Sequence, residues 1–257
     1  MSLPETSHIE HVLSTSDGVS IATVHYPHPE SSLAIVVAHG FSGHRFEDRV
    51  RKVTDTFGGH AGVIAIDMRG HGKSGGKSTV GYLEVLDVEA AVLWARELGY
   101  TKVALVGFSM GGSVVVRAAA LGKNVDAVVT VSGPAFWYYK GTKVMRRVHQ
   151  GVETKLGRIV MRTLFNTVIE RPPWPEPPPM PPVDAAAELG SIPLLIVHGD
   201  VDRYFPLEHP EAMFASAIAA GVDADLWIEE GFGHAENAIT TVQLERIANW
   251  IEDKVTQ

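Results

Sequence analysis

The sequence predicts an α/β protein: a mostly parallel central sheet flanked by helices, interrupted once by an inserted cap. Three patterns carry that expectation. Short β-branched runs end in glycine or polar turns at residues 33–38, 63–66, 103–106, 125–131 and 194–197. Segments of helical length separate them, and such alternation builds a parallel sheet covered on both faces. The third pattern is a break, because no strand-like run occurs from Pro134 to Val183 before the core resumes at Pro193. An excursion of that length between two buried strands reads as a cap over one end of the sheet. The expected division is a core of residues 1–133 and 184–257 with a cap of residues 134–183.

From the N-terminus onward, Asp17-Gly18 parts two short polar/apolar runs and predicts an antiparallel hairpin at one sheet edge. Residues 82–98 place Leu83, Leu86, Ala90, Leu93 and Trp94 at helical spacing, which predicts a helix packed on the sheet. Within the cap a helical stretch is expected to run to about Ile169. Val144, Val148, Val152, Leu156, Ile159 and Val160 recur there at helical spacing, predicting one or two amphipathic helices. Between residues 140 and 162, seven Lys or Arg stand against one Glu, a surplus of six positive charges. A basic amphipathic helix can attract anionic lipid or an acidic substrate. The preferred expectation is blander: a solvated outer face on a packed helix, without membrane contact. Eight prolines between residues 172 and 182 then predict an extended, stiff return path.

Composition narrows the function. With 257 residues, 45% hydrophobic and 20% charged, the chain can bury one sizeable α/β core and suggests neither disorder nor a membrane span. A net charge of −8 argues against a nucleic-acid-binding surface, which needs clustered cations. The absence of cysteine removes disulfides, thiol nucleophiles and Cys-ligated zinc. The opening MSLPETSHIEH lacks the charged and apolar regions of a signal peptide, so a cytoplasmic protein is expected. Composition sets no oligomeric state.

The chemistry concentrates at strand ends. The run 103–106 leads into Gly107-Phe108-Ser109-Met110-Gly111-Gly112 and then a helical stretch. A sharp strand-to-helix turn presents a serine hydroxyl, small residues two before and two after let the backbones approach, and the helix N-terminus favours developing negative charge. Ser109 is therefore the expected nucleophile. Its base is expected to be His234, which follows the strand-like run 225–228 and precedes the final helix. The histidine needs a carboxylate to hold its tautomer, and Asp200 and Asp202 both follow the strand ending at His198-Gly199. Backbone donors for an oxyanion are expected from Met110 and from Phe41, in the loop after the strand 33–38. Phe136, Trp137 and Tyr138 follow a strand end beside this site, where they line an acyl pocket or pack the cap onto the core.

Two other patterns carry no such weight. Gly70-His71-Gly72-Lys73-Ser74-Gly75 matches a dinucleotide-binding pattern, but a polar loop follows it instead of a helix, so its residues are expected to form turns. His8, His11, His39 and His44 lack neighbours that complete a metal motif, so no metal is expected.

Taken together, HGF at 39–41, DMRGHGKS at 67–74, GFSMGG at 107–112, HGDVD at 198–202 and GFGH at 231–234 resemble the α/β-hydrolase superfamily across nearly the whole chain. HGFSGHR with DMRGHGKS is especially similar to small bacterial carboxylesterases, including cinnamoyl-ester hydrolases with a short cap, and much is shared with lysophospholipase-like and haloperoxidase-like relatives. The resemblance implies the α/β-hydrolase fold and hydrolysis of a small-molecule ester through an acyl-enzyme, without a cofactor. In such relatives the acid stands three residues after the glycine of its turn, which implies Asp202 over Asp200. Serine at the nucleophile position disfavours the dehalogenase and epoxide-hydrolase branches. A thioesterase, a lysophospholipase-like enzyme, a C–C bond hydrolase or a perhydrolase would share the triad, and a non-catalytic binding protein could share the fold.

Overall fold

The computed structural model describes residues 8–171 and 174–256. Among these residues eight strands form one sheet in the order β1-β2-β4-β3-β5-β6-β7-β8. The strands are β1 (Ile9–Ser14), β2 (Ser20–Tyr26), β3 (Leu33–Ala38), β4 (Gly62–Ile66), β5 (Lys102–Phe108), β6 (Ala127–Val131), β7 (Leu194–Gly199) and β8 (Ala224–Glu229). From β4 across to β8 all pairings are parallel, while β1 and β2 add an antiparallel edge. The hairpin expected at Asp17-Gly18 makes that edge, closed by Thr15, whose hydroxyl donates to Asp17 and accepts the Val19 amide.

Strand alternation assigns the two faces. In β3, Ala34, Val36 and Ala38 join one apolar cluster, with residues of α2 (Glu84–Glu97) and α3 (Met110–Gly122). Leu33, Ile35 and Val37 join the other, with residues of α1 (Asp48–Phe57) and the C-terminal helix (Thr241–Thr256). Every residue of β3, β4, β6 and β7 is buried, as expected for strands covered on both sides. One strand starts later than its apolar run, because the Asp126 carboxylate accepts the Val103 amide and ties Val125 and Asp126 into the preceding turn.

Between β6 and β7 the chain leaves the sheet. It forms α4 (Lys143–Glu153) and α5 (Lys155–Leu164), whose first turns are capped by Thr142 and Thr154 through the Met145 and Gly157 amides. Helix ends at Leu164, short of the expected Ile169, because the following segment pairs instead with the loop after β4. Ser78 and Ile169 form a parallel bridge, and the Val168 amide donates to the Gly70 carbonyl. Of the proline-rich return path, Pro172 and Pro173 lie outside the described residues. The remainder is tied down by Trp137, Trp174 and Arg117, which donate to the carbonyls of Pro179, Val80 and Met180. The chain re-enters the core through α6 (Pro182–Ala187), then β7, α7 (Glu208–Ala219), β8, α8 (Ala235–Ala238) and α9 (Thr241–Thr256).

The DMRGHGKS run is a buttress of this fold. Asp67 accepts the Arg45 and Lys73 amides and pairs with the Arg45 guanidinium, and the Ser74 hydroxyl accepts the Ala22 amide. Among the described residues no helix is long and apolar enough to cross a membrane.

Candidate active site

Ser109 sits between β5 and α3 with φ 50° and ψ −117°, a left-handed conformation held by the Ser109 amide donating to Val131 O at 2.9 Å. The two flanking glycines are required sterically. A Cβ on Gly107 would collide with the Gly111 carbonyl oxygen, and one on Gly111 would collide with the Ala38 carbonyl oxygen. Close backbone contact thus forces the turn that lifts the serine out of the sheet.

Loops after β7 and β8 bring two more groups to that point. His234 Nε2 lies 2.8 Å from Ser109 Oγ, and His234 Nδ1 lies 2.7 Å from Asp202 Oδ2. Because Nδ1 faces a carboxylate, it carries the proton and Nε2 is left to accept one from the serine. Asp202 is buried, and its Oδ1 accepts the Tyr204 and Phe205 amides at 2.7 and 3.2 Å. Burial acts to raise its pKa, but the His234 hydrogen bond and charge outweigh it and hold the carboxyl below the usual range. Asp200, the competing aspartate, accepts the Gly231 amide at 2.7 Å and fixes the turn instead. The Tyr204 ring stacks on the imidazole of His234 at 4.0 Å, and Ser132 Oγ accepts the Ala235 amide, so the histidine loop is held from both sides.

The loop after β3 is equally constrained. His39 is buried, its Nε2 accepts the Met68 amide at 3.1 Å, and its Nδ1–H donates to Gly40 O at 2.7 Å. Burial, reinforced by His71, pushes its pKa well below the ordinary value, so it is a neutral core histidine. The Gly40 amide donates to Glu236 Oε1 at 2.6 Å. With both ends of Gly40 engaged, the Phe41 amide is left without a protein acceptor among the described residues, as is that of Met110. Both residues border the same cavity of about 300 Å³, with Ser109 and His234 in its wall. Phe136, Trp137 and Tyr138 line it too; Trp137 and Tyr138 also pack on Trp174 within the same excursion, while Phe136 meets His209 of α7 and Trp137 meets Arg117 of α3. Among the described residues, no group of three or more His, Asp or Glu is placed to hold a metal.

A family model for the alpha/beta hydrolase fold matches residues 34–145. The esterase Pf2001 of Pyrococcus furiosus superposes with a TM-score of 0.78 at 20% identity, over 99% of this chain and 95% of that one. The protein has the α/β-hydrolase fold. It resembles small esterases. Monoacylglycerol lipase of Mycolicibacterium smegmatis is 27% identical over 277 residues, covering 94% of this chain and 96% of that protein. Human protein ABHD12B is 30% identical over 191 residues, or 71% of this chain, and the match spans about half (49%) of that protein.

Three features of the site escaped the sequence reading. Glu236 is buried beside Ser109, and its Oε2 takes no protein donor among the described residues. Burial raises its pKa, against the Gly40 hydrogen bond, which lowers it. Its signal was position, two residues after His234. Tyr204 and Ser132 gave no signal, since their roles depend on which loops the fold brings together.

Proposed function

We propose that the protein hydrolyses carboxylic esters through an acyl-enzyme on Ser109. The observation that carries this reading is the hydrogen-bonded chain from Asp202 through His234 to Ser109, with two unengaged backbone amides beside the hydroxyl. His234 Nε2 takes the Ser109 proton as Oγ attacks the ester carbonyl carbon, and the oxyanion accepts the Phe41 and Met110 amides. The C–O bond then breaks and the alcohol leaves with the proton from His234. Water delivers the second attack by the same route, giving up its proton to His234, and the acid is released as Ser109 regains its own. Asp202 stays ionised and balances the imidazolium charge.

In this reading residues 134–183 act as the cap, and the aromatic residues Phe136, Trp137 and Tyr138 hold an apolar acyl or aryl group. Similarity to an esterase and to a monoacylglycerol lipase supports ester substrates as a class. A fluorophosphonate probe tests the reading: it is expected to label the wild type at Ser109 and not Ser109→Ala, with ester turnover lowered at least ~10³-fold in the variant. Labelling of folded Ser109→Ala, or turnover near that of the wild type, overturns it.

A further inference from the structure

Helix α5 has no core of its own. None of its residues is buried, and Leu156, Ile159 and Leu164 are 72%, 59% and 74% exposed. With Val160 they follow i, i+3, i+4 and i+8 spacing, which places them on one face. The other side of the helix is engaged: Gly157 packs so closely that an added Cβ would lie 2.6 Å from Gly151 of α4, and Met161 lines the cavity. The apolar stripe therefore points away from the protein. Contiguous exposed apolar surface of this kind marks an interaction site.

Charge identifies the partner. Lys155 and Arg162 flank the stripe, Lys143 and Arg147 are exposed on α4, and among the described residues none of the four has a carboxylate partner. This local surplus of positive charge belongs to a chain of net charge −8. A second copy meeting the stripe face to face would bring cations against cations. A bilayer bearing anionic headgroups satisfies both features at once, taking the apolar residues at its acyl boundary and the cations at its phosphates. Phe165, just past the helix, is half-exposed and lines the cavity, so the stripe borders the entrance to the site.

We propose that α5 docks this protein on the surface of an anionic lipid bilayer through Leu156, Ile159, Val160 and Leu164, flanked by Lys155 and Arg162. Docking requires neither Ser109 nor His234, so it stands or falls apart from ester hydrolysis. The test is flotation of the full chain, as wild type and as Ser109→Ala, with vesicles of phosphatidylcholine alone or mixed with phosphatidylglycerol. Both forms are expected to float with the anionic vesicles and not the neutral ones. Raising salt from ~0.1 M to ~1 M shortens the screening length from about 10 Å to about 3 Å and is expected to release them. Lys155→Ala with Arg162→Ala is expected to weaken binding about 25-fold, near fivefold for each cation. Leu156→Ser, Ile159→Ser and Leu164→Ser together are expected to abolish flotation while leaving circular dichroism and turnover of a soluble ester unchanged, because none of the three is buried or lines the cavity. Three results overturn the proposal: no flotation of the wild type, equal flotation with neutral vesicles, or a wild-type dimer in light scattering that this triple variant converts to monomer.

Discussion

Ser109 and Leu156 mark two regions held in place by different forces. Around Ser109 the backbone is fixed by contacts that leave no room for a methyl group, and Asp202, Gly40 and His234 spend their polar groups on one another or on neighbouring loops. Around Leu156 the helix is held by a threonine cap, by Arg158 donating to the Val152 and Glu153 carbonyls, and by one close approach to α4. The first region owes its geometry to the sheet, whose buried strands cannot shift without opening the core. The second owes its geometry to local bonds and can be rewritten residue by residue. A site for chemistry suits the first kind of support, and a surface for contact suits the second.

The largest expected effect tests how sharply the first region distinguishes between neighbours. Asp202→Asn is expected to lower ester turnover by ~10³- to 10⁴-fold, because an amide can stabilise the wrong imidazole tautomer and cannot balance its charge. Asp200→Asn keeps an oxygen to accept the Gly231 amide, so its turnover is expected to stay within the same order of magnitude as the wild type. Comparison of kcat/KM on one soluble ester decides the matter. A loss in Asp200→Asn that matches or exceeds the loss in Asp202→Asn would remove the assigned geometry from the mechanism.

The same contrast explains what the sequence disclosed. The runs at 33–38 and 194–197 were legible because strands buried on both faces must be continuously apolar, and Gly107 and Gly111 were legible because only glycine fits there. The pairing of Asp202 with His234 joins residues 32 positions apart through two loops, so residue spacing left Asp200 open and only the resemblance to a family favoured one of them. Glu236 was invisible for a similar reason: its partner Gly40 stands 196 positions away. In the excursion, periodicity disclosed α4 and α5, but it could not say whether the apolar face of α5 meets protein or solvent. The expected packed helix with a solvated outer face describes α4, which buries His149 and Val152; α5 packs through Gly157 and Met161 instead, and leaves Leu156, Ile159 and Val160 exposed.

A second prediction sharpens the contrast in stability. Gly111→Ala places a Cβ against the Ala38 carbonyl and within 2.6 Å of His39 O, both parts of packed backbone. The expected cost is about 3 kcal/mol or more, read as a lower midpoint in urea unfolding. Leu164→Ala, at a position 74% exposed, is expected to stay within about 0.5 kcal/mol of the wild type. Equal costs at the two positions would mean that α5 is integrated into the core after all.

The smallest expected effect lies at the joint between the two regions. His209, buried on α7, accepts the Ala135 amide through Nδ1 at 3.0 Å and sits among Phe136, Tyr139 and Phe205, where the chain leaves the sheet. Burial, followed by the neighbouring His198, pushes its pKa down to about 4, against a weaker opposing pull from Asp202. The unfolded chain, with a histidine pKa of about 6.5, binds this proton first. His209 therefore contributes its full stabilisation above about pH 6.5 and loses it progressively as pH falls toward 4. Near pH 5.5 the loss from this one group is about 1 kcal/mol. His209→Gln removes the titration but retains an amide oxygen that can accept a hydrogen bond. The variant is expected to be less stable than the wild type at pH 7, with the gap narrowing by about 1 kcal/mol near pH 5.5 as the wild type alone takes on this cost. Urea unfolding followed by tryptophan fluorescence at the two pH values measures the gap, and a gap that stays constant would mean that His209 does not couple the joint to pH.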